Sequence, residues 1–529
     1  MTTAFTGFDP AAINGKFQAP DRHADLVIVG AGAAGTSAAI TAAQKGASVL
    51  LVDEHPIDQG MMGLDVPYFF GGRMTAGTNR KNHLIEQMLI ANPSLEQAFE
   101  LGVEVELGVS AWGAFMNGPH VASLPGPVIG LADEDRAFMV GFNKLIVAAG
   151  ARDVVLGFPG WDQPGVMGLL GFQTLIGRYN CFSGHTLVIL GSGAGALSAA
   201  LDATAAGLTV AALVEVADTV QGPQVLADKV RDTGISILTG CVPARAAGGV
   251  DGVEALEVLS PATGETRTLA CDTIVMAYGL APSIELLAAM GADTHFDPER
   301  GGHVPVTGPG GQTSLENVFA AGDCAGLAGL EPIGDQAAMD QGRAAALAAL
   351  GETAPASVLS GADGMPGLAQ WAQAIAQTAG PDLLVCQCEE VTCGDLAGVQ
   401  PPPYLPRPPA LQARSMASLA EDGPVNPDQI KRLTRAGMGP CQGRRCRDAV
   451  ALTLARLNAQ ALGAVPLASF RSPVRPLPLG VLADWDEPAA MGQNWDVWFG
   501  IPGQWMPYKD IGTDREAEHH AALGGNMHL

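Results

Sequence analysis

A chain of 529 residues exceeds what one hydrophobic core serves, so roughly two to four domains are expected. Its composition, 47% hydrophobic and 16% charged with 68 Gly and 37 Pro, is that of a globular protein rich in small residues. The net charge of −25 argues against binding to nucleic-acid phosphates or to an anionic membrane surface.

Residues 1–24 read as an irregular leader without a basic segment and apolar run, so a secretory signal is not expected and the cytoplasm is the expected compartment. From Asp25 to Glu54 the pattern is strand, glycine turn, helix, strand. Its apolar stretch, Leu26 to Ala43, is broken by glycines and is not a membrane span. Leu145–Arg152 (LIVAAGAR) is an apolar strand ending in small residues, and a second strand–turn–helix–strand unit runs from His185 to Glu215. Asn317–Asp323 (NVFAAGD) predicts another short strand, with a helix starting near Pro332 and running through Ala338–Leu350. Met365–Leu384 joins this region to a cysteine-rich segment, in which Gln400–Pro409 (QPPPYLPRPP) is too proline-dense for helix or sheet and is expected to be an exposed loop. Beyond Leu462 come a proline-rich connector and a tail holding Trp485, Trp495, Trp498 and Trp505, four of the seven tryptophans. Aromatics so concentrated favour a partner surface.

Gly30, Gly32 and Gly35, with Ala31 and Ala34 between them, form GAGAAG between a strand and a helix. The first glycine permits the turn, the second admits a pyrophosphate, and the third lets helix and strand close together. Asp53 ends the next strand, where its carboxylate is placed for a ribose diol, and Glu54 is the neighbouring candidate. Ala149 and Gly150, ending LIVAAGAR, and Gly322 and Asp323, ending NVFAAGD, complete the candidate cofactor contacts. In flavoproteins with two dinucleotide domains, an Asp such as Asp323 binds the ribityl-phosphate region, which points to FAD. The second loop offers Gly191, Gly193 and Ala196, with Glu215 closing the following strand. An acid there favours NAD over NADP if the site is occupied; the other reading is a scaffold that has lost its ligand.

Nine cysteines in so long a chain are not a disulfide framework. Cys386 and Cys388 form a C-x-C pair, and Cys441 and Cys446 follow after 52 residues. Thiolates suit iron–sulfur clusters or zinc, and the C-x-C spacing favours a 2Fe–2S cluster over a zinc knuckle. Lys431, Arg432, Arg435, Arg444, Arg445 and Arg447 would offset a cluster's negative charge. Cys393 is read as a bystander. Cys181, Cys241, Cys271 and Cys324 are scattered, which argues against a dithiol–disulfide mechanism. His519 and His520 read as a solvated helix end.

Residues 150–176 (GARDVVLGFPGWDQPGVMGLLGFQTLI) resemble a stretch of the flavoprotein group containing the larger subunits of opine oxidase and hydrogen cyanide synthase and the α subunit of heterotetrameric sarcosine oxidase. VCQCEEVTCGDL and IKRLTRAGMGPCQGRRC look like that group's ferredoxin-like module, and RPLPLGVLADWDEP (475–488) is similar to its connector. The resemblance implies an α/β, glutathione-reductase-like flavoprotein with two dinucleotide-binding domains, a small α-helical 2Fe–2S module and a C-terminal tail. It implies a dinucleotide at Gly30, Gly32, Gly35, Asp53 and Asp323, a cluster on Cys386, Cys388, Cys441 and Cys446, and a smaller flavoprotein partner that oxidises the substrate. A further small subunit, and FMN at a subunit interface, occur in some members. DQGMMGLDVPYFFGG replaces the group's Pro-Gly-Gly-Gln stretch, and the chain stops where sarcosine oxidase α would continue into a folate-binding domain.

The expected organisation is a leader (1–24), a discontinuous FAD domain (25–154 and 278–360), a second dinucleotide domain (155–277), a BFD-like 2Fe–2S domain (380–462) and a partner-contacting tail (463–529). The expected function is that of an FAD- and 2Fe–2S-containing subunit of a heteromeric amine or amino-acid dehydrogenase or oxidase, relaying electrons from a substrate-oxidising flavin. Two alternatives are a self-contained NAD(P)H-dependent reductase fed through the second loop, and an assembly scaffold with a vestigial nucleotide site.

Overall fold

The computed structural model describes residues 19–57, 71–117, 124, 126–355, 361–407, 409–483, 513–515 and 518. The four tail tryptophans, His519 and His520, most of the leader and most of the DQGMMG stretch lie outside these residues.

Arg22–Val29, whose second half is an unbroken apolar run, pairs in parallel with Val49–Asp53 on one side and Ala137–Val147 on the other. Leu26, Val27 and Ile28 are buried on both faces, as a central parallel strand requires. Glu104–Leu107 extends the sheet beyond Val49–Asp53. The long strand Ala137–Val147 takes the antiparallel Val128–Ala132 along its first residues and the parallel Val318–Ala320 along its last. Four parallel strands therefore end at the same edge, where they present Gly30, Asp53, Ala148–Gly150 and Gly322–Asp323.

Across this edge the helices Ala33–Gln44 and Asp335–Ala349 meet almost backbone to backbone. A Cβ on Gly342 would lie 1.9 Å from the Ala34 carbonyl oxygen, so the abundance of Gly and Ala is a packing requirement here. The helix expected from near Pro332 starts at Asp335, because Gly334 takes a positive φ of 84° and turns the chain into it.

A second, wholly parallel sheet has the order Ser236–Leu238, Thr209–Val214, Thr186–Leu190, Thr273–Met276, Val166–Gly168. An antiparallel sheet of Val242–Gly249, Gly252–Leu259 and Thr266–Ala270 adjoins it. The cysteine-rich region is mainly short helices, with Thr392 and Asp395 forming a capping box and Asn426 capping Pro427–Thr434.

This region packs directly on the second sheet. One apolar core joins Val154, Phe158 and Trp161 to Cys386, Ile430 and Leu454, and the Trp161 indole N–H donates to the Leu384 carbonyl at 3.1 Å. The GWDQPG stretch thus holds the cysteine region through Trp161 and through the Asp162 carbonyl, which accepts from Gln387 Nε2 at 3.3 Å. The proline-rich segment is a loop, as expected, but Pro401 and Pro402 are buried. Lacking an N–H, a proline can be covered without leaving a donor unsatisfied.

Candidate functional site

A cleft of 530 Å³ opens over the first glycine loop. Gly30 has φ +103°, and a Cβ there would stand 2.2 Å from the Ala148 carbonyl oxygen. A Cβ on Gly35 would come 1.7 Å from the Gly30 oxygen. Both positions therefore exclude any side chain, whereas nothing lies within 4 Å of a Cβ on Gly32, whose face is turned to the cleft. The helix Ala33–Gln44 has no side-chain cap and no acid in its first turn, so its N-terminal N–H groups are left for an anion.

Both oxygens of Asp53 accept backbone hydrogen bonds, Oδ2 from Ala31 N at 2.6 Å and Oδ1 from His55 N at 2.7 Å. Asp53 thereby braces the glycine loop. Glu54 also lines the cleft, paired with Arg475 at 2.6 Å. Asp323 accepts from Ile333 N at 2.9 Å, and burial raises its pKa above the usual carboxylate value. Gly322 donates to Gln341 Oε1 at 2.9 Å. Ala34, Ala149 and Gly150 line the same cleft, and Ala31, which does not, holds the loop to Asp53.

The cleft also contains charged groups that the motifs did not single out. Arg152 is 3% exposed, and its guanidinium binds Glu285 at 2.8 Å and Asp448 at 2.7 Å. Burial alone would raise the pKa of Glu285, but Arg152, together with Arg444, outweighs it and holds the carboxyl below its usual value. Asp153 accepts from Leu170 N at 3.1 Å, and burial pushes its pKa up to about 7. Arg444, inside the Cys441–Cys446 loop, lines the cleft as well. The only sequence signal for Arg152 and Asp153 was their place in GARD, and nothing marked their distant partners.

The second glycine loop is built on the same plan but is differently filled. Gly191 has φ +121°, and a Cβ there would lie 2.2 Å from the Ala277 oxygen. At the start of the helix Ala194–Ala205, however, Gly195 N donates to Glu331 Oε2 at 3.0 Å. Ala196 is buried within that helix, and Gly193 faces the other Glu331 oxygen. Glu215, expected to face a ribose, is 2% exposed. It accepts from Ser192 Oγ at 2.7 Å and Ala217 N at 3.0 Å, turned inward to brace its own loop. Sequence reasoning missed Glu331, which lies 136 positions from its partner.

Cys386, Cys388, Cys441 and Cys446 come together from two segments. Cys386 Sγ lies 4.0 Å from Cys388 Sγ, which lies 3.8 Å from Cys441 Sγ, and Cys446 interacts with Cys386. Gly437 N donates to Cys386 Sγ at 3.4 Å. A Cβ on Gly439 would fall 2.4 Å from Cys388 Sγ, so only glycine fits against this sulfur. The Cys388 thiol is pushed up to about 11, first by its contact with Cys386 and then, against the opposing contact with Cys441, by burial. The sulfurs form a string: among the described residues no three His, Cys, Asp or Glu side chains enclose a single metal-ion position. Cys393 stands apart, in the wall of a second, 270 Å³ pocket. All nine cysteines are free of disulfide bonds.

Of the basic residues, Arg445 is buried beside the thiols and donates to Gln387 Oε1 at 2.9 Å. Arg447 is buried too and stacks on Phe470, its guanidinium carbon 3.8 Å from the ring centre. Arg435 pairs instead with Glu389 at 2.6 Å, and Lys431 and Arg432 lie in the last turn of Pro427–Thr434.

Residues 24–375 match the pyridine nucleotide-disulphide oxidoreductase family. The chain belongs to that family. It has the family's glutathione-reductase-like flavoprotein fold, FAD is the family's cofactor, and the chain is a flavin oxidoreductase. Residues 411–485, which include Cys441, Cys446 and Arg475, match the sarcosine oxidase A3 domain. An opine oxidase subunit from Rhizobium meliloti (strain 1021) is 28% identical over 499 residues, covering 88% of this chain and 99% of that protein. Hydrogen cyanide synthase subunit HcnB from Pseudomonas aeruginosa is 27% identical, covering 79% of this chain and 90% of that protein. Among solved structures, L-proline dehydrogenase from P. horikoshii shares the fold with a TM-score of 0.57 at 19% identity, over 88% of this chain and 81% of that one. Among the described residues no helix is long and apolar enough to cross a membrane.

Proposed function

We propose that this chain is the FAD- and 2Fe–2S-holding subunit of a heteromeric amine or amino-acid dehydrogenase or oxidase acting on CH–NH donors, of the opine, sarcosine or imino-acid type. The observation that carries this reading is Arg444: it belongs to the loop between Cys441 and Cys446 and also forms part of the wall of the dinucleotide cleft. A cysteine site sharing a wall with a nucleotide site suits transfer of electrons between the two, since a flavin exchanges electrons in pairs or singly and an iron–sulfur cluster one at a time. Similarity over nearly the whole length of an opine oxidase subunit supports reading the chain as one component of a complex.

In this reading Gly30, Gly32 and the N-terminus of Ala33–Gln44 hold the pyrophosphate, Glu54 and Asp53 the ribose side, and Asp323 with Gly322 the ribityl-phosphate side. Cys386, Cys388, Cys441 and Cys446 ligate the cluster. The C-x-C spacing of Cys386 and Cys388 favours a two-iron cluster, in which each iron takes two thiolates, over a zinc knuckle. Substrate oxidation takes place at a flavin in or against a smaller partner subunit, FMN at the interface is an option, and the expected compartment is the cytoplasm. The FAD domain comprises 25–154 and 278–360, the second dinucleotide domain 155–277, the 2Fe–2S domain 380–462 and the partner-contacting tail 463–529.

The test is a visible and EPR spectrum of the purified chain, with iron and flavin determination, followed by co-expression with candidate small subunits and assay with opines, sarcosine and proline. Flavin bands with a reducible iron–sulfur signal, and substrate oxidation only in the complex, are expected. Protein with full flavin but no iron would remove the cluster; activity of the chain alone would remove the partner.

A further inference from the structure

The anion seat of the second glycine loop is filled by a side chain of the same molecule, and we infer that Glu331 is the residue that denies this site to a nicotinamide dinucleotide. In such loops a pyrophosphate rests against the second glycine and the first N–H groups of the helix. Here the Glu331 carboxylate spans that position. Oε2 accepts from Gly195 N at 3.0 Å, and Cβ atoms built on Gly193 and Gly195 would lie 2.4 Å from Oε1 and 2.9 Å from Oε2. The carboxylate supplies the negative charge that the helix end favours, and a dinucleotide must displace it to enter.

Two further features close the same site. Glu215 is 2% exposed and turned inward to Ser192 and Ala217, whereas Asp53 of the first loop lines its cleft, so Glu215 presents no exposed face to a ribose diol. Gly222 lies flat on the loop, its N–H donating to the Ser192 oxygen at 2.8 Å, and a Cβ there would sit 2.9 Å from the Gly193 carbonyl carbon.

Glu331 is itself held in place. Its N–H donates to Ala328 O at 3.2 Å, Leu280 N donates to Leu330 O at 2.9 Å, and Ile333 N donates to Asp323 at 2.9 Å. One short strap therefore places an anion in the second loop and a hydrogen bond on the acid of the first. Glu331 acts as a specificity-determining residue, and electrons do not enter this protein from NADH through the second loop.

The test is anaerobic titration of the flavin-loaded chain with NADH, read by calorimetry and by flavin absorbance, for the unaltered protein, Glu331→Ala and the isosteric Glu331→Gln. No saturable binding to the unaltered protein is expected, and binding at least about tenfold tighter in the variants, whose flavin content reports that they are folded. Saturable NADH binding with flavin bleaching in the unaltered protein overturns the inference. So does a lack of NADH binding in both flavin-loaded variants, a result that leaves the proposed function standing.

Discussion

The guanidinium of Arg152 lies 2.7 Å from the carboxylate of Asp448, joining the short strand Ala151–Asp153 in the wall of the dinucleotide cleft to the helix that begins directly after Cys446. Because Arg152 also binds Glu285, it holds two acids where the cleft meets the cysteine region, with Arg444 and Arg447 in electrostatic reach. A buried charge set of this kind fixes relative position more than it adds stability, and removing one member strands the others.

Replacing Arg152 with Met therefore removes the guanidinium that binds both Glu285 and Asp448. The expected cost is about 3–5 kcal/mol, concentrated at this junction. Urea denaturation followed by tryptophan fluorescence measures it, and Arg152→Lys is expected to recover only part, since lysine lacks the planar fork that reaches both acids. An unchanged midpoint in Arg152→Met would show that the network carries no structural load.

The first glycine loop allows a graded test. Gly35→Ala places a Cβ 1.7 Å from the Gly30 oxygen, so the helix must move off the strand and the purified protein is expected to lose most of its flavin. Gly367→Ala, where a Cβ meets nothing within 4 Å, is the control and is expected to keep it. The flavin-to-protein absorbance ratio decides. Equal ratios in the two variants would move the cofactor away from this loop.

Asp153 predicts a pH dependence. Burial raises its folded-state pKa to about 7 from an ordinary value of 3.8. The folded protein therefore binds a proton that the unfolded chain has released, and the associated stability, complete below pH 3.8, is lost as pH rises to about 7. Asp153→Asn is expected to flatten this part of the stability profile between about pH 5 and about 7.5. Superimposable profiles for the two proteins would mean that Asp153 ionises normally.

At the thiol site, Cys441→Ser is expected to abolish bound iron and the EPR signal of the reduced protein. Gly439→Ala, which presses a methyl against Cys388 Sγ, is expected to reduce iron content to about half or less without touching a ligand. Iron retained at full stoichiometry in Cys441→Ser would exclude that residue as a ligand.

Local pattern made the two glycine loops, the strands leading into them and the cysteine pairs legible in the sequence alone. Each rests on a rule that operates within a few residues: a positive φ at Gly30 and Gly191, a strand of Val and Ile, a spacing of thiols. The same local order placed Asp53, Asp323 and Glu215 at strand ends. It pointed their carboxylates at a ribose or ribityl-phosphate, and could not show that those of Asp53 and Glu215 also brace their own loops.

What fills each site was decided by residues far away in the chain. Glu331 reaches Gly195 across 136 positions, Asp448 reaches Arg152, and Arg444 enters the cleft from the cysteine loop. A single sequence carries no signal for such pairings, because long-range contacts depend on how separately formed sheets and helices pack, and that packing is set by the sum of many buried apolar contacts. The two glycine loops look alike as motifs. Only the tertiary fold leaves the first open to an anion and places a carboxylate in the second.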